Sequence, residues 1–508
     1  MRKILSLSPI SLTLALWAFF IPIWNVGASI AMGFLFIATI TIAIKTKKYP
    51  SLTKSKYFIL LLLSILVSAA FHFDSAVFNE VKTILPFCIA PFFFSTPNSF
   101  TTNETKFIWN ALVAGVVVSL IASIAYGLIH YPLADPRKAS FLISHIRLSI
   151  LASVLFFHTL SDKQFHRLVP FVLLTLSLFF LYITATISGL LFFLIGGITY
   201  LILLKKFRFL FVLFIPPIVV LIYLFPFYYQ PSPKPTCYSN ETLEGETYAI
   251  NNSPCYSENG FLTYSCLAEE ELKESWNQRT GINIEGVDDR NQPLKHTIIR
   301  YLTSKGLSKD ASGVFALNDQ DIQNIKSGNT NYLEVSWNAL EKRAYQIHFE
   351  YTNFQSGGKS VGHSIFQRFY LMNITKNILL QQPLGGIGVT NTRTQFEEEY
   401  EKLEIASENM PKQPHNQFLT LWLNSGVLSL IFFLMLLIGL FQQLKGNVHV
   451  VGASCFLVIF ITSCFTEDTL NTQPGVGIST LFIILFFFLH STEQKVSDAL
   501  EHSQSPKL

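Results

Sequence analysis

The sequence predicts an all-α polytopic membrane protein with about twelve transmembrane helices and one large, mostly helical hydrophilic loop. Half of the 508 residues are hydrophobic and only 14% are charged, against about 25% charged in an ordinary soluble domain. The mean hydropathy is +0.39, and the apolar residues fall in runs of roughly 20, the length that crosses a bilayer. This composition excludes a soluble enzyme.

The apolar runs give the order of the elements along the chain. We predict spans at roughly 5–24, 26–44, 57–73, 81–95, 107–129, 141–160, 168–184, 187–204, 209–225, 418–441, 448–466 and 475–490. Another span follows the first run at once, without a small-residue cleavage pattern, so we expect the first run to remain as an anchor. The predicted domains are residues 1–225 with spans one to nine, 226–416 as the loop domain, 417–491 with spans ten to twelve, and 492–508 as a tail.

The Lys and Arg residues of the short loops predict the orientation. If twelve spans alternate, most of these residues fall on one side, which is then the cytoplasm, and both termini with the tail 492–508 lie inside. The loop 226–416 then lies outside. Arg137 and Lys138 fall in a short outer loop, where basic residues are scarce. They are either a tolerated exception or a cationic patch suited to a phosphate group.

The six cysteines divide between spans and loop. Three lie in apolar spans and are expected to be small core residues: Cys88, Cys455 and Cys464. Three others lie in the outer loop, where one disulfide could form and leave one thiol over: Cys237, Cys255 and Cys266. None has metal-site spacing, and we predict neither a metal nor a cofactor.

The loop begins with a proline-rich, extended stretch over 226–260. Apolar residues at helical spacing then predict helices around 269–276, 297–303 and 332–349. Asp319 and Asp321 have the spacing of a metal-nucleotide carboxylate pair, but a cap at the start of a helix is the favoured interpretation.

A broad apolar face over 362–380 predicts a helix in the membrane interface. Arg368 would lie near the lipid headgroups, where it either snorkels or binds a ligand. The glycine-rich turn 383–388 lacks the Lys-Ser/Thr of a phosphate loop. We therefore favour a tight turn that brings backbone close to another helix or a ligand.

His415 lies at the outer edge of span ten, where a polar turn runs directly into an apolar segment. Asn416 can cap this helix by accepting a free backbone N–H of its first turn. The positive end of the helix dipole disfavours imidazolium, so we expect a neutral His415, the form that a general base needs. The alternative is a structural histidine at the membrane edge.

Arg147 and His145 lie within two turns of the outer end of span six. A buried arginine in a span is costly and usually functional, and its five donors suit a bidentate phosphate contact. The alternative is an arginine that snorkels to the headgroups. Glu467 and Asp468, at the outer end of span eleven, could orient such cations or be solvated loop residues.

Arg147, Arg368 and His415 thus share one predicted depth, at the outer ends of separate spans. Arg137, Lys138, Glu467 and Asp468 lie near the same level. Two arginines could bind a diphosphate in place of a metal ion and stabilise the charge that grows on it as it leaves.

On these residues the chain resembles the bacterial O-antigen ligase family, which includes polysaccharide polymerases and protein O-oligosaccharyltransferases. The resemblance is carried by His145-Ile-Arg147, by Ser364-Ile-Phe-Gln-Arg368 with Gln382-Pro-Leu-Gly-Gly-Ile-Gly388, and by Pro414-His-Asn-Gln-Phe-Leu with Gly426. The twelve predicted spans and the large loop before span ten match as well. Ile187 stands where the family often has an arginine, which puts a third cationic contact there in doubt.

The resemblance implies a metal-independent, inverting glycosyltransferase of the bacterial inner membrane with its active site facing the periplasm. The donor would be a glycan on undecaprenyl diphosphate, and the expected acceptor is lipid A–core or another glycan or protein. His415 would activate the acceptor hydroxyl, and Arg147 and Arg368 would bind the diphosphate. Membrane lipid is the other expected partner, and we expect no nucleic acid.

Other functions stay open at this stage. A polymerase is the nearest alternative, although the Arg-x10-Gly pattern of some polymerases is absent, and a protein O-oligosaccharyltransferase is a further one. A transporter or flippase would favour internal repeats and polar residues near the bilayer midplane, and neither is evident. A receptor or scaffold would need no chemistry at His415.

Overall fold

The computed structural model describes residues 7–47, 52–71, 75–94, 100–130, 136–210, 215, 218, 222, 234–237, 239–250, 257–355, 366–402 and 413–489. The chain forms two compact units. The helix unit comprises Met1–Leu213 and Leu371–Leu508, and the loop unit comprises Phe214–Tyr370.

The helix unit is all-α in the residues described. Its first eight helices are α1 Pro9–Phe20, α2 Asn25–Thr46, α3 Leu52–Phe71, α4 Ser75–Phe94, α5 Thr102–Ile129, α6 His145–Ser161, α7 Leu168–Thr184 and α8 Ile187–Leu203. Short 3-10 helices cover Pro136–Ala139, Phe207–Phe209 and Thr469–Asn471, and a π-helical turn covers Ile484–Phe488.

The later helices of this unit follow the loop unit in the chain. They are α15 Val389–Lys402, α16 Gln417–Ser425, α17 Val427–Gln442, α18 Val450–Thr466 and α19 Gln473–Ile483. The preceding helix, α14 Phe366–Gln381, contributes residues to both units.

Two helices, α2 with 22 residues and α5 with 28, are long and apolar enough to cross a membrane. Eight further apolar helices of 10–17 residues occur in the described part of the chain. Large apolar side chains are exposed along α2, among them Val26, Ile30, Phe34 and Ile37, as expected for a surface against lipid rather than water. These features fit a membrane protein, and the number of twelve spans stays a prediction.

The predicted tenth span, 418–441, is not one helix. It is divided at Gly426 into α16 and α17, and Gly426 has a φ of 84°, a conformation that only glycine adopts at low cost. Most of the predicted ninth span, 209–225, and the tail 492–508 lie outside the described residues.

Helix α6 lies in the core of the helix unit. Leu148, Leu151 and Leu155 are fully buried, and α6 packs against α7, α8 and α18. This packing fixes both ends of α6, where the polar residues described below are found.

The loop unit is mostly helical, as predicted. Its helices are α9 Glu269–Thr280, α10 Leu294–Ser304, α11 Ala311–Phe315, α12 Asp319–Lys326 and α13 Ala339–Gln355, with a 3-10 helix at Tyr332–Val335 and a two-stranded antiparallel sheet of β1 Ser257–Glu258 and β2 Phe261–Leu262. The helix predicted over 332–349 is therefore two elements, because Asn338 starts a new helix by accepting the N–H of Glu341.

The loop unit has its own apolar core and a covalent link. Trp276, Ile298, Leu302 and Val314 are fully buried in it. Cys237 forms a disulfide with Cys266, and Cys255 lies outside the described residues. Asn318 and Asp321 form a capping box at the start of α12, which confirms a helix-start cap at this site.

Candidate active site

Asn416 caps α16, as the sequence predicts. Its side-chain oxygen accepts the backbone N–H groups of Phe418 at 3.1 Å and Leu419 at 3.2 Å. Its amide nitrogen donates to the carbonyl of Phe465 at 3.4 Å. The cap therefore also ties the start of α16 to the end of α18.

His415 precedes this cap in a left-handed backbone conformation, with a φ of 52°. Its backbone N–H donates to Asp468 Oδ2 at 3.1 Å. Its ring atom Nδ1 lies 3.7 Å from Glu467 Oε2 and 3.8 Å from Asp468 Oδ2. The side chain is 35% exposed, so the ring is partly accessible although both carboxylates lie close to Nδ1.

Asp468 is a buried carboxylate and not a solvated loop residue. It is 5% exposed, and its Oδ1 accepts the hydroxyl of Thr420. Burial raises the pKa of the Asp468 carboxyl above its ordinary value, while the hydrogen bond from Thr420 and the neighbouring His415 act in the opposite direction. The acidic pair therefore lies close to His415, whereas the sequence suggested only that it could orient a cation such as Arg147.

Arg147 lies in the first turn of α6 and is only 6% exposed. Its Nη2 donates to Thr472 Oγ1 at 3.3 Å, whereas Nη1 is buried with no hydrogen-bond partner among the described residues. Its charge interacts with Glu467 and Asp468. A buried guanidinium does not fit the snorkelling alternative, which needs the charged group at the headgroups.

Gln417, which the sequence did not single out as a functional residue, holds the segment that follows Asp468. Gln417 donates through Nε2 to Asn471 Oδ1 at 3.2 Å and accepts the backbone N–H of Leu470 at 2.6 Å. Both bonds fix the 3-10 helix Thr469–Asn471, which directly follows Asp468. Gln417 therefore positions the acidic pair without facing the ring of His415 itself.

A sequence signal for these partners exists. Asn416, Thr420 and Asn424 recur at intervals of four on an otherwise apolar helix, which places them on one face. Asn424 accepts the hydroxyl of Thr392 at 2.9 Å and donates to Glu80 Oε1 at 3.0 Å. This polar stripe ties α16 to α4, α15 and the Asp468 segment.

The glycine-rich turn has the structural role that the sequence favoured. The N–H of Ile387 donates to the Leu423 carbonyl at 2.8 Å, and the N–H of Val427 donates to the Leu384 carbonyl at 3.0 Å. A Cβ on Gly386 would lie 2.5 Å from the Gly426 nitrogen. The turn thus packs backbone against backbone at the break between α16 and α17.

The remaining predicted residues have the following places in the fold. His145 is half-buried at the first position of α6. Arg137 and Lys138 are exposed on the 3-10 helix Pro136–Ala139. Arg368 is half-buried on α14 and belongs to the loop unit, so its role beside Arg147 stays a prediction.

Comparison with known families adds independent information. Residues 311–434 match the family model of the O-antigen ligases. This segment is similar to the O-antigen ligases. It includes Arg368, His415 and Asn416, and the match confirms the predicted resemblance and supports a membrane glycosyltransferase of the ligase or polymerase type. No curated protein matches the chain.

Proposed function

We propose that the protein transfers a glycan from undecaprenyl diphosphate to an acceptor hydroxyl, with lipid A–core as the acceptor, at the periplasmic face of the bacterial inner membrane. The observation that carries this proposal is that His415 Nδ1 lies 3.7 Å from Glu467 and 3.8 Å from Asp468, and that the charge of the buried Arg147 interacts with the same two carboxylates. A buried cation with an unused donor and a histidine that share one pair of carboxylates suit an anionic leaving group and a hydroxyl nucleophile.

In this mechanism His415 is the general base. A neutral imidazole has one donor nitrogen and one acceptor nitrogen, and the carboxylates near Nδ1 favour the tautomer that carries its proton there. Nε2 then takes the proton of the acceptor hydroxyl. The hydroxyl oxygen bonds to the anomeric carbon, the bond from that carbon to the diphosphate oxygen breaks, and its electron pair leaves with the diphosphate. A single displacement inverts the anomeric centre.

Arg147 binds the diphosphate in the same scheme. Its Nη1 is buried with its hydrogen-bonding capacity unused in the described structure, and leaving such a group unpaired is costly. A diphosphate oxygen would satisfy it, and the contact would strengthen as negative charge develops on the leaving group. Arg368, in the segment similar to the O-antigen ligases, is the proposed second cation.

The disulfide of the loop unit supports the proposed side of the membrane. Disulfides such as Cys237–Cys266 persist in oxidising compartments, including the bacterial periplasm, and are rare in the cytosol. A periplasmic loop unit agrees with the orientation that the Lys and Arg residues predict.

The test is transfer in vitro by purified protein in detergent, with a glycan on undecaprenyl diphosphate, lipid A–core and no added metal. His415→Ala and His415→Asn should each lower transfer on the order of 100-fold, the typical contribution of a general base. Asparagine tolerates the left-handed backbone of this position, so it separates loss of the base from backbone strain. His166→Ala, at an exposed histidine of the helix unit, is the control and should retain full transfer.

The product identifies the class of reaction. Glycan on lipid A–core, lost in both His415 variants, supports the ligase. Lengthened lipid-linked glycan would instead indicate a polymerase, and glycan on protein an O-oligosaccharyltransferase. Folded His415 variants that retain wild-type transfer would refute the proposed base, and movement of lipid-linked glycan without transfer would indicate a transporter.

A further inference from the structure

A second polar cluster lies at the other end of α6, and the proposed transfer reaction does not use it. It consists of His158 and Asp162, from the last turn of α6 and its C-cap, and His449, the residue before α18. His158 follows Arg147 by 11 residues, which is about 16 Å along a helix axis. The cluster is therefore distinct from the candidate active site.

The three side chains have the spacing of metal ligands. Asp162 Oδ2 lies 3.5 Å from His449 Nδ1 and 3.9 Å from His158 Nε2, and one ligand atom from each residue falls within 4.8 Å of the others. Two ligands of a tetrahedral zinc ion, each at about 2.0–2.1 Å, lie roughly 3.3 Å apart. A small closure of the cluster would produce this geometry.

His158 supplies an independent indication of a missing partner. The residue is fully buried, and neither of its ring nitrogens has a hydrogen-bond partner in the described part of the chain. Its ring lies against Trp109, with centroids 3.9 Å apart and an interplanar angle of 34°, and contacts Phe165 and Phe486 edge-on. A buried unpaired imidazole costs free energy, and a metal bond to Nε2 would satisfy one of the two unpaired nitrogens.

Hydrogen bonds also hold Asp162 and His449 in place, as is usual for metal ligands. Asp162 Oδ1 accepts the N–H of Gln164 at 2.9 Å, which leaves Oδ2 toward the histidines. The backbone of His449 is fixed by Asn447 Oδ1 at 2.8 Å, and Asn447 itself donates to the Phe486 carbonyl at 2.8 Å. Such outer contacts orient ligands and tune their affinity.

We propose that His158, Asp162 and His449 bind one divalent transition-metal ion of the Zn²⁺ class. Two imidazoles and one carboxylate form a common ligand set for zinc, with a water in the fourth position. The ion joins the end of α6 to the start of α18. Arg147 lies at the opposite end of α6, and Glu467 directly follows the opposite end of α18. It is a structural link between the two helices, separate from the metal-free chemistry proposed above, and it departs from the sequence-based expectation of no metal.

The experiment measures zinc binding directly and does not depend on transfer activity. Full-length protein without a polyhistidine tag is purified in detergent, stripped with a chelator and titrated with Zn²⁺ by calorimetry. We expect about one zinc per chain and a higher unfolding temperature on binding. Co²⁺ in place of Zn²⁺ should give the visible absorption of a low-coordinate nitrogen and oxygen site.

Asp162→Asn and His449→Ala are the test variants, because both side chains are only partly buried and each keeps the aromatic packing of His158. Each should weaken zinc binding by at least roughly 100-fold, since even loss of an outer partner costs 10–100-fold. His166→Ala, between α6 and α7, is the control and should bind zinc like wild type. Without zinc, the variants should unfold at the temperature of the stripped wild-type protein.

Two results would overturn the proposal. One is a folded wild-type protein that binds no stoichiometric zinc, which would leave the cluster as histidine–carboxylate ion pairs. The other is zinc binding of equal strength in wild type and both variants, which would place the ion elsewhere. Because the readout is binding, failure of the glycan-transfer proposal would not alter either result.

Discussion

Each of the two units buries a cationic side chain, and the two cations differ in how many hydrogen bonds they form. In the loop unit, the fully buried Lys309 uses Nζ to donate to Thr236 Oγ1, to the Leu262 carbonyl and to the Ser265 carbonyl, at 2.7–3.0 Å. These three bonds use all the donors of an ammonium group. Arg147 in the helix unit makes one side-chain hydrogen bond and leaves Nη1 without one in the residues described.

The difference separates a structural ion from a functional one. Burial lowers the pKa of Lys309 to about 7, and the charge of Asp310 acts in the opposite direction. All three donors of the Lys309 ammonium group are used in hydrogen bonds, so we assign Lys309 a structural role. A buried charge with an unused donor is a cost to stability that a bound anion would offset. We therefore expect substitutions at Arg147 to change activity and substitutions at Lys309 to change stability.

The largest expected effect is on transfer by Arg147→Ala. Loss of one preorganised donor to a developing oxyanion lowers kcat roughly 100-fold to 1,000-fold. Removal of the buried, unused Nη1 offsets the lost interaction with Glu467 and Asp468, so we expect only a small change in the unfolding temperature. The measurement is initial transfer rate with the unfolding temperature of the same preparation. Arg167→Ala, at an exposed arginine, should match wild type in both.

If the unfolding temperature of Arg147→Ala fell together with its transfer rate, Arg147 would have a structural role like that of Lys309. Full transfer by a folded Arg147→Ala protein would remove it from the diphosphate site.

The next effect is on the stability of the loop unit in Lys309→Met. Methionine fills similar space but leaves three acceptors without a donor, and a buried unsatisfied group costs about 1–3 kcal/mol. We expect a loss of about 3 kcal/mol, measured by pulse proteolysis of the full-length protein in urea. Lys273→Met, on an exposed position of α9, should cost much less, and equal losses in the two variants would contradict the contrast.

The smallest effect is a pH dependence from Glu258, a buried carboxyl group of the loop unit. Burial raises the pKa of Glu258 from 4.5 to about 7, against the charge and hydrogen bond of Arg300. Between these values the folded unit holds a proton that the unfolded chain has lost, so stability falls as pH rises from about 4.5 to 7. The slope is at most about 1.4 kcal/mol per pH unit.

Glu258→Gln should remove this part of the slope, as measured by the same proteolysis assay at several pH values. An unchanged slope in the variant would assign the pH dependence to another group.

The parts of the molecule that the sequence predicts well are local. Asn416 and Asn318 cap helices because a short polar side chain stands directly before an apolar or helical segment, and the bond it makes spans two or three residues. Apolar spacing likewise predicts the helices around 269–276 and 297–303, where α9 and α10 form. Nothing beyond neighbouring residues is needed for either.

The parts that escaped prediction depend on contacts far apart in the sequence. The break at Gly426 depends on the backbone of Gly385 and Gly386, some 40 positions earlier, whereas an apolar run with two isolated glycines predicts a continuous helix. The expectation that the helix dipole alone governs His415 omitted Asp468, which lies 53 positions away and is buried only in the folded chain. His158 and Asp162 are one helical turn apart, but His449 joins them only through tertiary packing.

The contact between Gly386 and Gly426 has a consequence for genetics. A Cβ at either position would collide with the backbone of the other turn, at 2.5 Å and 2.7 Å respectively, so neither glycine can change alone without displacing the start of α17. A screen for bacteria that lose the surface glycan should therefore recover alleles at both glycines as often as alleles at His415. The amount of protein in the membrane distinguishes them, since the glycine alleles should deplete it and the histidine alleles should not.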